Sequence, residues 1–154
     1  PRFQAEDGIR DALVGLVGSE MCIRDRTWPV EPSRCVTTME MLRERFETIA
    51  PTTVIGESNR QRPLSAFGVC WRAFRFAQRE RPDVLVTTGS FPLALVGFWV
   101  KVFGGAVVWI DSVSQMTTMS MSGRFARLFA DLTLVQWESV ARDDDRVEYA
   151  GQLL

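Results

Sequence analysis

The sequence RPDVLVTTGSFPLALVGFWVKVFGGAVVWIDSVSQMTTMSMSGRFARLFADLTLVQW, residues 81–137, decides the fold. Three short apolar runs, Asp83–Thr88, Ala106–Ile110 and Leu132–Gln136, read as buried strands, and the segments between them read as helices. Strands that alternate with helices predict parallel strands joined by crossover helices. The stretch therefore predicts an α/β fold with a doubly wound, Rossmann-like parallel sheet.

Residues 91–110 are apolar over a length that also suits a membrane-spanning helix. The glycine pair Gly104-Gly105 interrupts this run, and glycines end a helix well. We therefore expect a helix that ends there and a separate strand from Ala106, rather than a membrane span. A helix lying at a membrane interface stays open as an alternative, because apolar side chains surround one lysine: Phe98, Trp99, Val102 and Phe103 around Lys101.

Two helices are expected on the N-terminal side of this stretch. Leu42 and Phe46 predict a short amphipathic helix, and Thr52–Ile55 predicts a strand. A longer helix precedes Pro82, with one apolar stripe at helical spacing, formed by Leu64, Phe67, Cys70, Trp71, Phe74 and Ala77. We expect this stripe to be buried. Val69 and Phe76 lie outside it and predict a second apolar flank that faces a loop, a partner or a lipid surface.

The first residues need a separate interpretation. Residues 4–26, QAEDGIRDALVGLVGSEMCIRDR, resemble a translated sequencing adapter, so we expect 1–27 to be a segment foreign to the protein and 28–154 to be a partial domain. The alternative is a genuine strand at Ala12–Val17. In a doubly wound sheet the first strand lies centrally. We therefore expect either Ala12–Val17 in that central place or a defective sheet.

The composition is ordinary for one globular domain. The 154 residues are 46% hydrophobic and 24% charged, with a formal net charge of −1. Because the chain lacks a strong positive field, we expect no nucleic-acid binding. The absence of histidine excludes a histidine-based triad, and three cysteines without a Cys-x-x-Cys spacing argue against disulfides and zinc and for a reducing compartment. We expect Asp143–Asp145 to be a solvated turn, and we expect no metal and no cofactor.

Polar residues follow each predicted strand, at the edge where doubly wound domains bind ligands. Gly89 and Ser90 follow the first strand, where exposed amides at a helix N-terminus suit an anion. Asp111 follows the second strand, and a serine-rich segment opens the next helix. The candidate site residues are Gly89, Ser90, Asp111, Ser112, Ser120, Ser122, Gly123, Arg124, Gln136 and Trp137.

The motifs TTGS, WIDS, SMSGR, AD, VQW and YAG, in this order, resemble the asparagine-linked glycosylation protein fourteen family and its bacterial exopolysaccharide counterparts. The resemblance covers the chain from about Cys35 onward. It rests on Gly89, Asp111, Ser112, Ser120, Ser122, Gly123, Arg124, Asp131, Gln136, Trp137 and Gly151. It implies the acceptor-side half of a split GT-B glycosyltransferase, active together with a separate subunit that binds the nucleotide sugar.

The resemblance further implies transfer of N-acetylglucosamine from UDP-N-acetylglucosamine to a lipid-diphosphate-linked sugar, at the cytoplasmic face of a membrane. Asp111 would orient or deprotonate the acceptor hydroxyl, Arg124 and nearby amides would hold the diphosphate, and Trp137 would stack on a sugar. Each residue has a structural alternative: Asp111 as a partner of loop amides, Arg124 as a surface cation and Trp137 as a core residue.

The sequence departs from the family in two places. The family often has Glu-Ser followed three residues later by Arg, where this chain has Asp111, Ser112 and Gln115. The family's first strand and Gly-Gly-His loop are missing, so we expect an N-terminally truncated domain. Two other functions stay open: the N-terminal half of a single-chain GT-B enzyme, and a non-enzymatic α/β module that anchors partners.

Overall fold

The computed structural model describes residues 12–16, 32–56, 63–112, 116–141 and 146–151, with the backbone alone for 12–16 and 63–65. Within these ranges seven strands form one parallel sheet. The strands are β1 (Ala12–Leu16), β2 (Arg34–Thr37), β3 (Thr52–Val54), β4 (Val84–Thr88), β5 (Ala106–Ile110), β6 (Leu132–Val135) and β7 (Glu148–Tyr149).

The strand order is β3-β2-β1-β4-β5-β6-β7, which is the order of a doubly wound sheet. The predicted α/β class is therefore confirmed. Strand β1 lies centrally, where Gly15 pairs with Val36 on one side and with Thr87 on the other. This is the first of the two arrangements expected for Ala12–Val17. The foreign origin of residues 1–27 stays a prediction.

Helices connect the strands as the alternating pattern predicts. A short 3-10 turn at Glu40–Leu42 leads into α1 (Arg43–Glu47). The remaining helices are α2 (Pro63–Glu80), α3 (Phe91–Val102), α4 (Met121–Ala126) and α5 (Glu138–Ala141). Strand β7, which the sequence analysis did not predict, extends the sheet by pairing Tyr149 with Val135.

The long apolar segment divides into a helix and a strand, as expected. Helix α3 ends before Gly104, which has φ +93°, and β5 begins at Ala106. A Cβ atom at Gly105 would lie 2.5 Å from the Pro82 carbonyl oxygen, so only glycine fits this close approach. Among the described residues, no helix combines the length and the apolarity that a bilayer span needs.

The two faces of the sheet bury different helices. Val36, Leu85 and Val107 pack with α2 and α3 in the main core. Cys35, the neighbour of Val36, faces the other way and packs with Leu42, Phe46 and Ala50. Burial of this thiol raises the pKa of Cys35 to about 11, so it stays protonated and unreactive near neutral pH.

The predicted orientation of α2 is wrong. Val69 is fully buried and Phe76 is only 7% exposed, whereas Phe67 and Trp71 are 78% and 55% exposed. The sequence carries two apolar stripes on one helix, and hydrophobicity alone does not show which stripe meets the sheet. Ala77 of the expected stripe is buried as expected, and it lies in the core with Ala73, Val69 and Phe76. The two small alanines let the helix backbone approach the core, while the bulkier stripe is left outside.

This orientation predicts opposite outcomes for two identical substitutions on α2. Phe76→Ala removes a buried ring, and we expect it to lower the free energy of unfolding by about 3 kcal/mol. Phe67→Ala removes an exposed ring, and we expect a change within about 0.5 kcal/mol. Urea denaturation followed by circular dichroism measures both. Equal losses, or a larger loss for Phe67→Ala, would contradict the observed orientation.

Candidate functional site

The candidate site lies at the edge of the sheet formed by the carboxyl ends of β4, β5 and β6. The strand order reverses between β1 and β4, and the loop that follows β4 holds Gly89 and Ser90 at the start of α3. Doubly wound domains bind ligands in the crevice at this point. The candidate residues of β4 therefore lie where the fold favours a ligand.

The loops after β4 and β5 are in direct contact. A Cβ atom at Gly89 would lie 3.5 Å from Cβ of Ser112 and 3.8 Å from its amide nitrogen. Gly89 has φ +37°, which disfavours other residues. The structure thus places Gly89 against Ser112, and Ser90 follows Gly89 directly; their role in substrate binding stays a prediction.

The carboxylate of Asp111 organises the start of α4. It is 2% exposed, and its Oδ2 atom accepts a hydrogen bond from the Ser120 amide at 2.9 Å. Its Oδ1 atom accepts hydrogen bonds from the Ser120 hydroxyl at 2.5 Å and from the Trp109 indole nitrogen at 3.4 Å. These bonds match the alternative in which Asp111 is a partner of loop amides. Its catalytic role stays a prediction.

Ser120 links this carboxylate to the helix. It is the N-cap of α4, and its hydroxyl accepts a hydrogen bond from the Gly123 amide at 2.9 Å while donating to Asp111. A Cβ atom at Gly123 would lie 2.7 Å from Oδ1 of Asp111. The carboxylate occupies the space that a side chain would need, so only glycine fits at position 123.

Gln136 joins the third strand to the same cluster. Its side-chain amide nitrogen donates to the Asp111 carbonyl oxygen at 3.1 Å. The residue is buried, and its side-chain oxygen Oε1 has no hydrogen-bond partner. The hydroxyl of Ser90 is also buried without a partner. These unpartnered groups are rare in folded proteins, and they are available to a ligand that opens the site slightly.

The remaining candidates lie outside the hydrogen-bonded cluster. Arg124 is exposed on α4, and Ser122 is half-buried on the same helix. Trp137 packs against the cluster formed by Val135, Val140 and Val147. Its contact with core residues corresponds to the structural alternative for this residue. Roles for Ser122, Arg124 and Trp137 in substrate binding stay predictions.

Asp131 has a structural position at the opposite edge of the sheet. Its carboxylate bonds the Lys101 ammonium at 2.5 Å and accepts a hydrogen bond from the Val107 amide at 2.9 Å. These contacts fix the end of α3 beside β5. Asp131 therefore belongs to the scaffold.

The sequence analysis missed Trp109 as a partner of Asp111. Residues two apart on a strand share a face, and Trp109 precedes Asp111 by two positions. This spacing could have identified the indole as a donor. In the described part of the chain, no group of three or more acidic or cysteine side chains is placed to hold a metal. Asp143–Asp145 lies outside the described residues.

Two solved structures have a fold similar to that of this chain. MurG from Acinetobacter baumannii aligns with a TM-score of 0.55 at 13% identity, over 70% of this chain and 34% of that chain. UDP-GlcNAc 2-epimerase from Methanocaldococcus jannaschii aligns with a TM-score of 0.60 at 11% identity, over 92% and 45%. The fold is that of a Rossmann-like domain, of the kind that forms one half of a GT-B glycosyltransferase.

The sequence defines the family more narrowly. The model of the family described as "Oligosaccharide biosynthesis protein Alg14 like" matches residues 30–153. The chain therefore belongs to the Alg14-like family, which confirms the resemblance noted in its motifs.

Curated relatives of the chain carry the name UDP-N-acetylglucosamine transferase subunit ALG14. The relative from Eremothecium gossypii is 34% identical over 95 residues, which cover 58% of this chain and 42% of that protein. The relative from Candida albicans is 32% identical over 82 residues, covering 49% and 37%. The mouse relative is 23% identical over 97 residues, covering 59% and 45%. The matched segment thus spans less than half the length of each of these relatives.

The bonding of Asp111 predicts a specific loss of stability. In Asp111→Asn, the new NH₂ group must face either the Ser120 amide or the donors at Oδ1, so one buried N–H loses its acceptor. We expect the free energy of unfolding to fall by about 1–3 kcal/mol. Asp131→Asn is the matched control, because asparagine keeps an acceptor for the Val107 amide and loses only a surface ion pair, worth about 1 kcal/mol or less.

Denaturant titrations of the two variants make the comparison. A loss for Asp111→Asn no larger than that for Asp131→Asn would contradict the proposed role of the Asp111 carboxylate in holding α4.

Proposed function

We propose that this chain is the acceptor-binding, membrane-associated subunit of a two-component glycosyltransferase. The enzyme transfers N-acetylglucosamine from UDP-N-acetylglucosamine to a lipid-diphosphate-linked sugar, in oligosaccharide or exopolysaccharide biosynthesis. The name of the relatives, which describes each as a subunit of a UDP-N-acetylglucosamine transferase, supports this proposal. The nucleotide sugar is bound by a separate glycosyltransferase subunit, and activity appears only in the complex. The complex works at the cytoplasmic face of a membrane.

The observation that carries the proposal is the loop at the start of α3. Helix α3 has 12 residues, and its N-terminus, with Gly89 and Ser90, opens at the switch point of the sheet. The helix dipole favours a phosphate there, and glycine lets the phosphate approach the backbone closely, while Pro92 in the first turn contributes no N–H. The Ser90 hydroxyl, which lacks a partner, adds a further donor. This loop binds the acceptor diphosphate in our proposal.

The start of α4 is less suited to a second anion. Asp111 already places a carboxylate against the Ser120 amide and hydroxyl, and the Gly123 amide bonds Ser120. A diphosphate at the same amides would meet that negative charge. We therefore assign Arg124, rather than the amides of α4, as the contact of this helix with the diphosphate.

Asp111 supports transfer indirectly. It holds the start of α4, and that segment orients the acceptor hydroxyl. The two carboxylate oxygens of Asp111 accept three hydrogen bonds from the protein, which leaves little capacity for a substrate proton. Through Ser120 it fixes the position of Ser122 and Arg124, and through its carbonyl it fixes Gln136. Gln136 presents its free oxygen to a sugar hydroxyl, beside Ser112, and Trp137 offers a ring edge to the same sugar. Unchanged turnover of folded Asp111→Asn in the complex would remove this role.

Substitution of Gly89 tests the acceptor loop in the complex with the partner subunit. Gly89→Ala places alanine on a backbone with φ +37°, which L-residues rarely adopt, while its methyl group makes an ordinary contact with Cβ of Ser112 at 3.5 Å. We expect the loop to shift, and kcat/KM for the lipid-diphosphate acceptor to fall more than tenfold, which is about 1.4 kcal/mol of transition-state stabilisation. The KM for the UDP-sugar should stay unchanged, because the partner binds that substrate.

The matched control is Gly104→Ala at the other end of α3. Gly104 also has a positive φ, +93°, but no atom lies within 4 Å of an added Cβ. Both substitutions place alanine at a positive φ, but Gly104 is remote from the site. Radiolabelled transfer assays compare the two variants. An equal fall in kcat/KM for the acceptor in both variants would show that the loss comes from reduced stability. That result would contradict the proposed role of the loop.

A further inference from the structure

The exposed face of α2 and the neighbouring surface of α3 form an apolar groove. The side chains of Phe67, Cys70, Trp71, Phe74 and Trp99 line a space of about 360 Å³. Phe67 and Trp71 are largely exposed on its rim. Large exposed apolar surfaces on a folded domain mark interaction sites. Trp99, at the base of the groove, packs against the main core, whereas Phe67 and Trp71 are not part of that core.

Ring contacts give the groove a fixed shape. Phe74 packs edge-on against Trp99 at 4.9 Å, and Trp71 stacks on Phe74 at 5.6 Å between ring centroids. These packed rings need little reordering to bind a partner, so little conformational entropy is lost on docking.

Cations outnumber acidic residues beside the groove. Residues 63–79, 91–103 and 116–130 contain no aspartate or glutamate, although the whole chain has 19 acidic residues and a net charge of −1. Glu80 and Asp131, which directly follow two of these segments, pair with Arg79 and Lys101. The same segments contain six cations: Arg72, Arg75, Arg79, Lys101, Arg124 and Arg127. This surface therefore complements a negatively charged partner, despite the acidic balance of the chain.

The order of residues along α2 separates the aromatic part from the cationic part. Phe67, Trp71, Arg75 and Arg79 follow one another at intervals of four, so they form one ridge on the exposed side of the helix. Arg75 and Arg79 are exposed like the two rings before them. Aromatic rings beside arginines suit the boundary between lipid head groups and acyl chains.

We propose that this ridge and the aromatic groove dock the domain on the surface of a lipid bilayer that carries anionic head groups. The rings of Phe67 and Trp71 enter the interface, and Arg75 pairs with lipid phosphates. The inference deepens the proposed function, because it rests on the proposal of a lipid-linked acceptor and names the surface that meets the membrane. A second protein as occupant is the competing outcome of the test.

Further aromatic contacts lead from the groove to the acceptor loop. Trp99 contacts Phe98 at 5.2 Å, Phe98 contacts Phe125 at 6.3 Å, and Phe125 contacts Phe91 at 6.1 Å. Phe91 follows Ser90 directly and is partly exposed. A domain docked by α2 would thus hold an apolar surface between the bilayer and the loop proposed for the diphosphate. The lipid of an acceptor can remain near the bilayer while its diphosphate reaches Ser90.

Vesicle flotation of the full chain tests the docking surface. We expect binding to phosphatidylcholine vesicles that contain phosphatidylglycerol, little binding to phosphatidylcholine alone, and weakening at high salt. Phe67→Ser with Trp71→Ser should lower the partition coefficient more than tenfold. Arg75→Glu should lower it about fivefold or more, the factor that corresponds to about 1 kcal/mol per arginine near an anionic surface.

Matched controls come from the region around α1. Met41 is 78% exposed, like Phe67, and Ile49 is 43% exposed, so Met41→Ser with Ile49→Ser removes a comparable apolar surface elsewhere. Arg45→Glu makes the same change of net charge as Arg75→Glu. These controls should keep vesicle binding. Circular dichroism and urea titration confirm that every variant is folded.

Cys70 reports whether the groove itself meets the lipid. It is a free, half-buried cysteine in the groove, whereas Cys35 is buried with a raised pKa. In a Cys22→Ser background, anionic vesicles should slow labelling of Cys70 by a water-soluble maleimide. Unchanged labelling of vesicle-bound protein would contradict docking through this groove.

Besides unchanged Cys70 labelling, three results would overturn the inference. These are an equal loss of vesicle binding in the control variants, vesicle binding that is independent of lipid charge, and absence of vesicle binding while the Phe67 and Trp71 substitutions abolish binding of the glycosyltransferase partner. The last result would identify a protein interface. Transfer of the sugar to a water-soluble acceptor separates membrane docking from the proposed transferase function. Docking variants should keep this transfer. Absence of transfer in the unchanged complex would reject the proposed function alone.

Discussion

The carboxylate of Asp111 is the interaction on which the candidate site depends. Asp111 follows the carboxyl end of β5. Its two carboxylate oxygens bond Ser120, and they occupy the space that a side chain at position 123 would need. Through these contacts one buried charge fixes the start of α4, and the carbonyl of the same residue fixes Gln136. A buried carboxylate is costly unless hydrogen bonds compensate it. The sheet edge therefore has a definite shape before any substrate is present.

The two surfaces of this domain separate the proposed tasks. The carboxyl edge of the sheet holds backbone amides and short polar side chains, which suit a diphosphate and a sugar. The outer face of α2 and α3 holds aromatic rings and arginines, which suit a bilayer surface. Helix α3 takes part in both, since Ser90 begins it and Trp99 lies near its other end. Helix α3 therefore connects the proposed docking surface with the proposed acceptor loop.

Much of the fold was predictable from the sequence, and the reasons for the failures are physical. Gly104-Gly105 and the β-branched runs defined β4, α3 and β5 correctly, and the motifs identified the family. The orientation of α2 was not predictable, because two apolar stripes compete and the structure buries Val69, Ala73 and Phe76. The site residues at the ends of β4 and β5 followed from strand order. The bonds of Asp111 to Trp109 and Ser120 required three-dimensional geometry, since Ser120 is nine residues distant.

The central claim is that this domain binds the acceptor and not the nucleotide sugar. Amide chemical shifts measured by nuclear magnetic resonance test it most directly, in titrations with a short-chain lipid-diphosphate sugar and, separately, with UDP-N-acetylglucosamine. The account predicts that the diphosphate-linked sugar shifts the amides of Gly89, Ser90 and Ser112, and that the nucleotide sugar leaves them in place. Shifts of these amides by UDP-N-acetylglucosamine alone would contradict it.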